Sequence, residues 1–186
     1  MEKKKITIIG AGMMGSALAF PAAENGHEVH IVGTCLDDKI IDGYLATGKH
    51  EKFCRPFPEN VNYHYFKDWK TVVEGSDFVI GGVSSFGVDW FLEEILIQLD
   101  PEMPVLSVTK GLRATDDGSL LSYPGYWMSE LAKRGIHRDI CAVGGPCTSY
   151  ELVFKDPTEV AFCGWDNEVL RMMKQAMQRP YYHISL

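Results

Sequence analysis

A Gly10-x-Gly12-x-x-Gly15 turn constrains this chain more than any other feature. It is entered from Ile6-Thr7-Ile8-Ile9 and left through Ser16-Ala17-Leu18-Ala19-Phe20. β-Branched residues ahead of the turn favour a buried strand, and the alanines and leucine after it favour a helix. In such a strand–turn–helix Gly10 permits the tight turn, Gly12 lets backbone approach a ligand, and Gly15 lets the helix close onto its strand. Unpaired N–H groups and the positive dipole end of the helix then face an anion. The spacing therefore predicts a pyrophosphate cradle at Gly10, Gly12 and Gly15. The bland alternative is a tight βα turn that packs well and binds nothing.

Pro21 falls within the following helix, where it removes a hydrogen bond and crowds the carbonyl four residues back, so a bend is expected near Ala17. Asn25-Gly26 supplies the stop, and His27-Glu28-Val29-His30-Ile31-Val32 reads as the second strand, completing a βαβ unit. At the end of such a strand an acidic residue commonly bonds the ribose 2′-hydroxyl of NAD, or an arginine accepts the 2′-phosphate of NADP. This chain has Gly33-Thr34-Cys35 there, with Asp37 and Asp38 a little late and no arginine. Thr34 is the expected neighbour of the ribose, and NAD against NADP stays open.

Downstream, residues 36–45 suit a short helix, and 47–60 form a polar loop punctuated by Pro56 and Pro58, too long for a mere connector. Lys49, Lys52 and Arg55 in it either face water or approach a cofactor phosphate. Strands are expected at 61–65, 78–83, 105–109 and 140–143, a last edge strand at 181–185, and helices at 67–74, 89–99, 120–133 and 167–178. Lys110 follows its strand directly and so points toward the crevice beyond the strand ends. Asp116-Asp117-Gly118 reads as a turn before a helix, Glu93-Glu94 as a solvated face, and Trp127 and Trp165 as packing residues. The sum is a Rossmann-type α/β fold: one doubly wound, mostly parallel sheet with helices on both faces, spanning 1–186 as a single NAD(P)-binding domain.

Charge narrows the function. With 18 basic and 25 acidic residues the formal charge is −7, which argues against general affinity for nucleic acid. A phosphorylated ligand must therefore be held by locally placed donors. No stretch approaches the length of a membrane span, and the apolar run at the N-terminus is a strand rather than a signal-peptide core. Five cysteines without a Cys-x-x-Cys pair fit free or buried thiols in a reducing cytoplasm, and six scattered histidines give no metal spacing.

Four features in order resemble the N-terminal cofactor domain of the NAD(P)-dependent glycerol-3-phosphate dehydrogenases. They are the Gly10–Gly15 turn with Asn25-Gly26-His27-Glu28-Val29, and Pro56-Phe57-Pro58-Glu59-Asn60. Then come Thr109-Lys110-Gly111-Leu112, and Gly144-Gly145-Pro146 with Glu151 and Pro157-Thr158. The resemblance covers essentially the whole chain. It implies reversible hydride transfer between NAD or NADP and a small phosphorylated three-carbon substrate, linking dihydroxyacetone phosphate with sn-glycerol 3-phosphate. It places Met13, Met14, Thr34, Ser85, Phe86, Lys110 and Ser149 at the cofactor, with Phe86 on the nicotinamide side. Lys110, Gly145 and Cys147 fall at the substrate, and Lys110 is the catalytic candidate, because an ammonium beside a developing alkoxide lowers the barrier. The chain departs from the family pattern at Cys147 (usually Ser or Thr), at Ser84 (commonly Pro) and at Met13-Met14.

The family's second, helical domain, which supplies a lysine–asparagine pair and a phosphate-binding arginine, is expected to be absent. Little turnover by the chain alone, and self-association through the face that domain would cover, are expected with it. Two other readings are a non-catalytic NAD(P)-binding module and the cofactor half of a β-hydroxyacid or ketopantoate reductase. Lys110-Gly111 and Gly145-Pro146 speak against the latter.

Overall fold

The computed structural model describes residues 2–116 and 118–186. Strand β1 (Lys5–Ile9) enters the glycine turn, helix α1 (Met13–Glu24) leaves it, and β2 (Glu28–Val32) returns beside β1 in parallel register. α1 remains a single α-helix across the expected bend, with Pro21 buried inside it. Helix α2 (Asp38–Thr47) and strand β3 (Val61–His64) follow, then α3 (Trp69–Val73), β4 (Phe78–Gly81) and α4 (Val88–Phe91), which continues as a π-helical turn through Leu96. The second half adds β5 (Val105–Ser107), the antiparallel pair β6 (Leu112–Ala114) and β7 (Leu120–Ser122), and helix α5 (Tyr123–Lys133). It closes with β8 (Ile140–Gly144), α6 (Ser149–Phe154), β9 (Thr158–Cys163), α7 (Asn167–Met177) and β10 (Tyr182–Ser185).

The main sheet has eight strands in the order β10-β9-β8-β5-β4-β1-β2-β3. From β3 to β8 neighbours run parallel; β9 reverses against β8, and β10 follows β9. The period-2 alternation of each strand splits the core in two. Ile6, Ile8, Val29, Ile31, Phe78 and Ile80 pack with α1, α6 and α7, whereas Ile9, Val32, Val79 and Val105 pack with α3, α4 and α5. The doubly wound, mostly parallel sheet expected from the sequence is therefore present.

Three local expectations change. The helix expected from Leu120 starts at Tyr123, because Leu120–Ser122 pairs with Leu112–Ala114 as a hairpin. The stretch between Ala114 and Leu120 therefore connects two strands rather than preceding a helix, and Asp117, within the turn expected there, lies outside the described residues. The loop after α2 is polar in composition yet anchored by buried Phe53 and Phe57, which pack on Phe20.

Buried imidazoles set an acid limit on stability. His27, His50 and His64 are each held below the ordinary value of 6.5, chiefly by burial, and His64 also by the neighbouring His30 at 2.9 Å. The unfolded chain thus takes up these protons at higher pH than the folded one. Stability is full above 6.5 and is lost as the pH falls toward the depressed folded values. The urea midpoint is expected to be lower at about pH 5.5 than at about pH 7.5, and the difference to shrink in His64→Gln.

Candidate functional site

β1 and β4 are adjacent, but the chain winds outward from β1 toward β3 and from β4 toward β8. Their C-terminal ends are the switch point of the sheet, where a crevice is obligatory. Two cavities meet there, of about 310 Å³ and about 280 Å³, sharing Gly12, Gly82, Val83 and Ser84. The first runs toward β2 past Gly10 to Thr34, Cys35, Leu36 and Asp37, with Phe86 and Trp90 opposite. The second runs toward β5, past Met13, Met14 and Ser85 to Thr109 and Lys110.

The floor of this cleft is made of backbone because side chains there would collide. A Cβ on Gly15 would lie 2.2 Å from the Gly10 carbonyl oxygen, and one on Gly82 would lie 2.9 Å from Gly15 Cα. Gly10 has φ +114, a conformation that only glycine adopts readily. Gly12 is different: a Cβ there meets nothing within 4 Å, so its absence leaves open space at the start of α1. Among the described residues no side chain caps that helix, so its first-turn N–H groups have neither an intrahelical nor a side-chain acceptor there. A dinucleotide pyrophosphate fits this donor set: an uncapped helix start, a cradle that a single Cβ would fill, and room on both sides.

The turn is held from behind through Ala11. Its N–H donates to Asp37 Oδ2 at 3.1 Å, and its carbonyl oxygen meets the Ser16 and Tyr44 hydroxyls at 3.0 and 2.8 Å. Those hydroxyls are themselves 2.6 Å apart and buried. Burial pushes the Tyr44 phenol well above its ordinary value, so it stays protonated as a donor. Asp37 Oδ2 also accepts the Thr34 N–H at 2.8 Å and the Thr34 hydroxyl at 2.9 Å. The segment after β2 is thus bonded to the glycine turn, and Thr34 lines the cleft on that side. Asp37 carries more of the site than its late position suggested.

On the opposite side the Lys110 ammonium donates to the Gly145 carbonyl oxygen, joining the end of β5 to the loop after β8. Gly145, Cys147 and Ser149 lie on that loop and the start of α6, beside the cleft wall rather than among the residues lining it. Burial pushes the Cys147 thiol up, and its Sγ lies 3.7 Å from the Thr148 carbonyl oxygen. Ser149 is buried at the first position of α6. Glu151 closes a capping box with Thr148, its Oε2 accepting the Thr148 N–H at 2.5 Å, so it fixes the end of this loop. Arg55 turns away from the cleft, toward Glu24 and the Val153 carbonyl. Phe86 stands almost fully exposed at the lip. Among the described residues no group of His, Cys, Asp or Glu side chains comes together as a metal site.

Sequence reasoning missed Tyr44, Gly82 and Trp90. The Gly81-Gly82 pair closing β4 was the available signal for the second, since one strand end must approach the glycine turn closely.

The chain is similar to known proteins in sequence and in fold. The chain is 29% identical over 181 residues to an NADP(+)-dependent glycerol-3-phosphate dehydrogenase of Archaeoglobus fulgidus, covering 97% of this chain and 52% of that protein. It is 30% identical to a glycerol-3-phosphate dehydrogenase [NAD(P)+] of Francisella philomiragia, covering 89% and 47% respectively. The chain therefore spans about half the length of the curated relatives it matches. A glycerol-3-phosphate dehydrogenase structure from Coxiella burnetii superposes with a TM-score of 0.81 at 21% identity, over 98% of this chain and 53% of that one. The profile described as the NAD-dependent glycerol-3-phosphate dehydrogenase N-terminus matches residues 5–170, and the chain belongs to that family.

Proposed function

We propose that this chain is the nucleotide-holding part of a dehydrogenase that interconverts dihydroxyacetone phosphate and sn-glycerol 3-phosphate. The observation that carries the proposal is the continuous cleft across the switch point, floored by the glycine turn and running from Thr34 and Asp37 to Lys110. NAD(H) or NADP(H), when bound, accepts or supplies the hydride. The chain's own contribution is placement and charge. The amides around Gly12, Met13 and Met14 hold the pyrophosphate, Thr34 meets the ribose, and Ser85 and Phe86 border the nicotinamide half. Ser149 supports this cofactor half from the start of α6. Lys110, tied to Gly145 and close to Cys147, sets a cation where the oxygen on the reacting carbon becomes an alkoxide, and stabilises that charge.

Titration of the chain with NADH, read by nucleotide fluorescence, is expected to saturate with a dissociation constant between about 1 µM and about 1 mM. Calorimetry with sn-glycerol 3-phosphate is then expected to show binding to the NAD-saturated chain and none to Lys110→Met. Failure of both NADH and NADPH to bind at millimolar concentration would refute the dinucleotide assignment. Unchanged glycerol-phosphate binding by Lys110→Met would refute the role given to that lysine.

A further inference from the structure

The last position before the ribose corner is Gly33, so the side chain that usually selects between nicotinamide cofactors is missing from the end of β2. The structure fills its place from four residues later. A Cβ built on Gly33 would lie 3.1 Å from Asp37 Cβ and 3.0 Å from Ile41 Cγ1, so Asp37 occupies the space a side chain at Gly33 would use. Among the described residues Asp37 is also the one charged residue lining the cavity on that side, with no lysine, arginine or histidine beside it.

Its orientation is fixed. The Ala11 N–H, the Thr34 N–H and the Thr34 hydroxyl all donate to Oδ2, at 3.1, 2.8 and 2.9 Å. The Thr34 hydroxyl oxygen in turn accepts the Leu36 N–H at 3.3 Å. Oδ1 makes no hydrogen bond among the described residues, and it belongs to a side chain that lines the cavity. The carboxylate is held by one oxygen and left with a full acceptor on the other.

We propose that Asp37 selects NAD(H) over NADP(H): its free carboxylate oxygen accepts the ribose 2′-hydroxyl, and its charge repels a 2′-phosphate. The inference rests on the dinucleotide reading of the cleft. A hydroxyl facing Oδ1 makes a charge-assisted hydrogen bond. A phosphate monoester brings about −1.5 to −2 charges at pH 7 against a carboxylate with no cation in the cavity wall to offset it.

The test is parallel titration of the chain with NADH and with NADPH by nucleotide fluorescence, at low and at high sodium chloride. NADH is expected to bind at least about tenfold more tightly at low salt, with the ratio narrowing as salt screens the repulsion. In Asp37→Asn the ratio is expected to fall to about unity and to lose its salt dependence. Because both nucleotides are measured on one preparation, the ratio is insensitive to the folded fraction. If the Asn variant does not fold, the salt dependence of the natural chain decides alone. Equal affinities, tighter binding of NADPH, a salt-independent ratio, or an NADH preference retained in Asp37→Asn each overturn the inference while the cleft assignment stands. Binding of neither nucleotide overturns both.

Discussion

Gly12→Ala is expected to abolish nucleotide binding and leave the protein folded, whereas Gly15→Ala is expected to cost about 3 kcal/mol of stability or more and to abolish binding with it. The two positions are three residues apart in one turn, but the space around them is opposite. At Gly15 a methyl group would lie 2.2 Å from the Gly10 carbonyl oxygen and 3.5 Å from Gly82 Cα. Both contacts are backbone, so no side chain can swing aside. Helix α1 must instead lift from the ends of β1 and β4, and the packing of Leu18 and Ala19 beneath it lifts too. At Gly12 the methyl group meets nothing, and the backbone there has φ −65, which alanine adopts without strain. Restricting the unfolded chain favours alanine by about 0.4–1 kcal/mol, which offsets much of the roughly 1 kcal/mol by which it is inferior to glycine as an N-cap. The methyl group does, however, enter the open space where phosphate oxygens must approach backbone N–H groups. Urea denaturation and NADH titration of both variants separate the cases. A Gly12→Ala chain that binds NADH normally would remove the pyrophosphate from this corner, and a Gly15→Ala chain as stable as the natural one would contradict the close helix–strand contact.

What could be read from the residues alone was whatever a short window encodes. Ile6-Thr7-Ile8-Ile9 declares a buried strand and the glycine triplet declares its exit, so the βαβ unit and the order of strands after it were legible. Lys110 was legible for the same reason, since it follows β5 directly and strand ends face the crevice. The hairpin of β6 and β7 was not, because Leu112 and Leu120 are exposed and their apolar character mimics a helix face running into α5. Helix α6 has six residues, too few for a periodic pattern, although Thr148-Ser149-Tyr150-Glu151 is a capping box in plain view. Asp37 was seen but judged late, since only the fold shows its side chain reaching back into the space beside Gly33. Phe53 and Phe57 were masked by the charged residues between and around them. Phe53 packs on Phe20, and Phe57 on Phe20 and Tyr44, each partner more than ten residues away along the chain.

Glu24→Ala is expected to destabilise the protein by about 2 to 3 kcal/mol, a loss that follows from contacts no local window of sequence contains. Glu24 closes α1 with a side chain only 12% exposed, and it faces three cations. Arg55 Nη2 lies 3.0 Å away, Lys155 Nζ 3.2 Å, and Arg179 Nε 3.8 Å, while the Tyr181 hydroxyl donates to it at 2.9 Å. Burial, and after it the Glu24 carboxylate, pushes the Tyr181 phenol up, which keeps that donor protonated. Through one side chain, the end of α1 is thus tied to the loop before β3, the end of α6 and the approach to β10. Removing it leaves three positive charges facing one another, and Arg55 still pinned over the Phe20 ring at 5.0 Å. A fully buried pair broken in this way costs about 3–5 kcal/mol, but the cations here are 31%, 45% and 30% exposed, and water moderates the penalty. Glu24→Gln, which keeps the hydrogen-bonding shape and loses the charge, is expected to fall between Ala and the natural residue. Urea denaturation of the two variants checks this, and adding Arg179→Ala to Glu24→Ala is expected to restore part of the loss by removing one unpaired cation. A Glu24→Ala cost below about 0.5 kcal/mol would mean that these ion pairs behave as ordinary surface pairs, and that α1 is anchored by its apolar face alone.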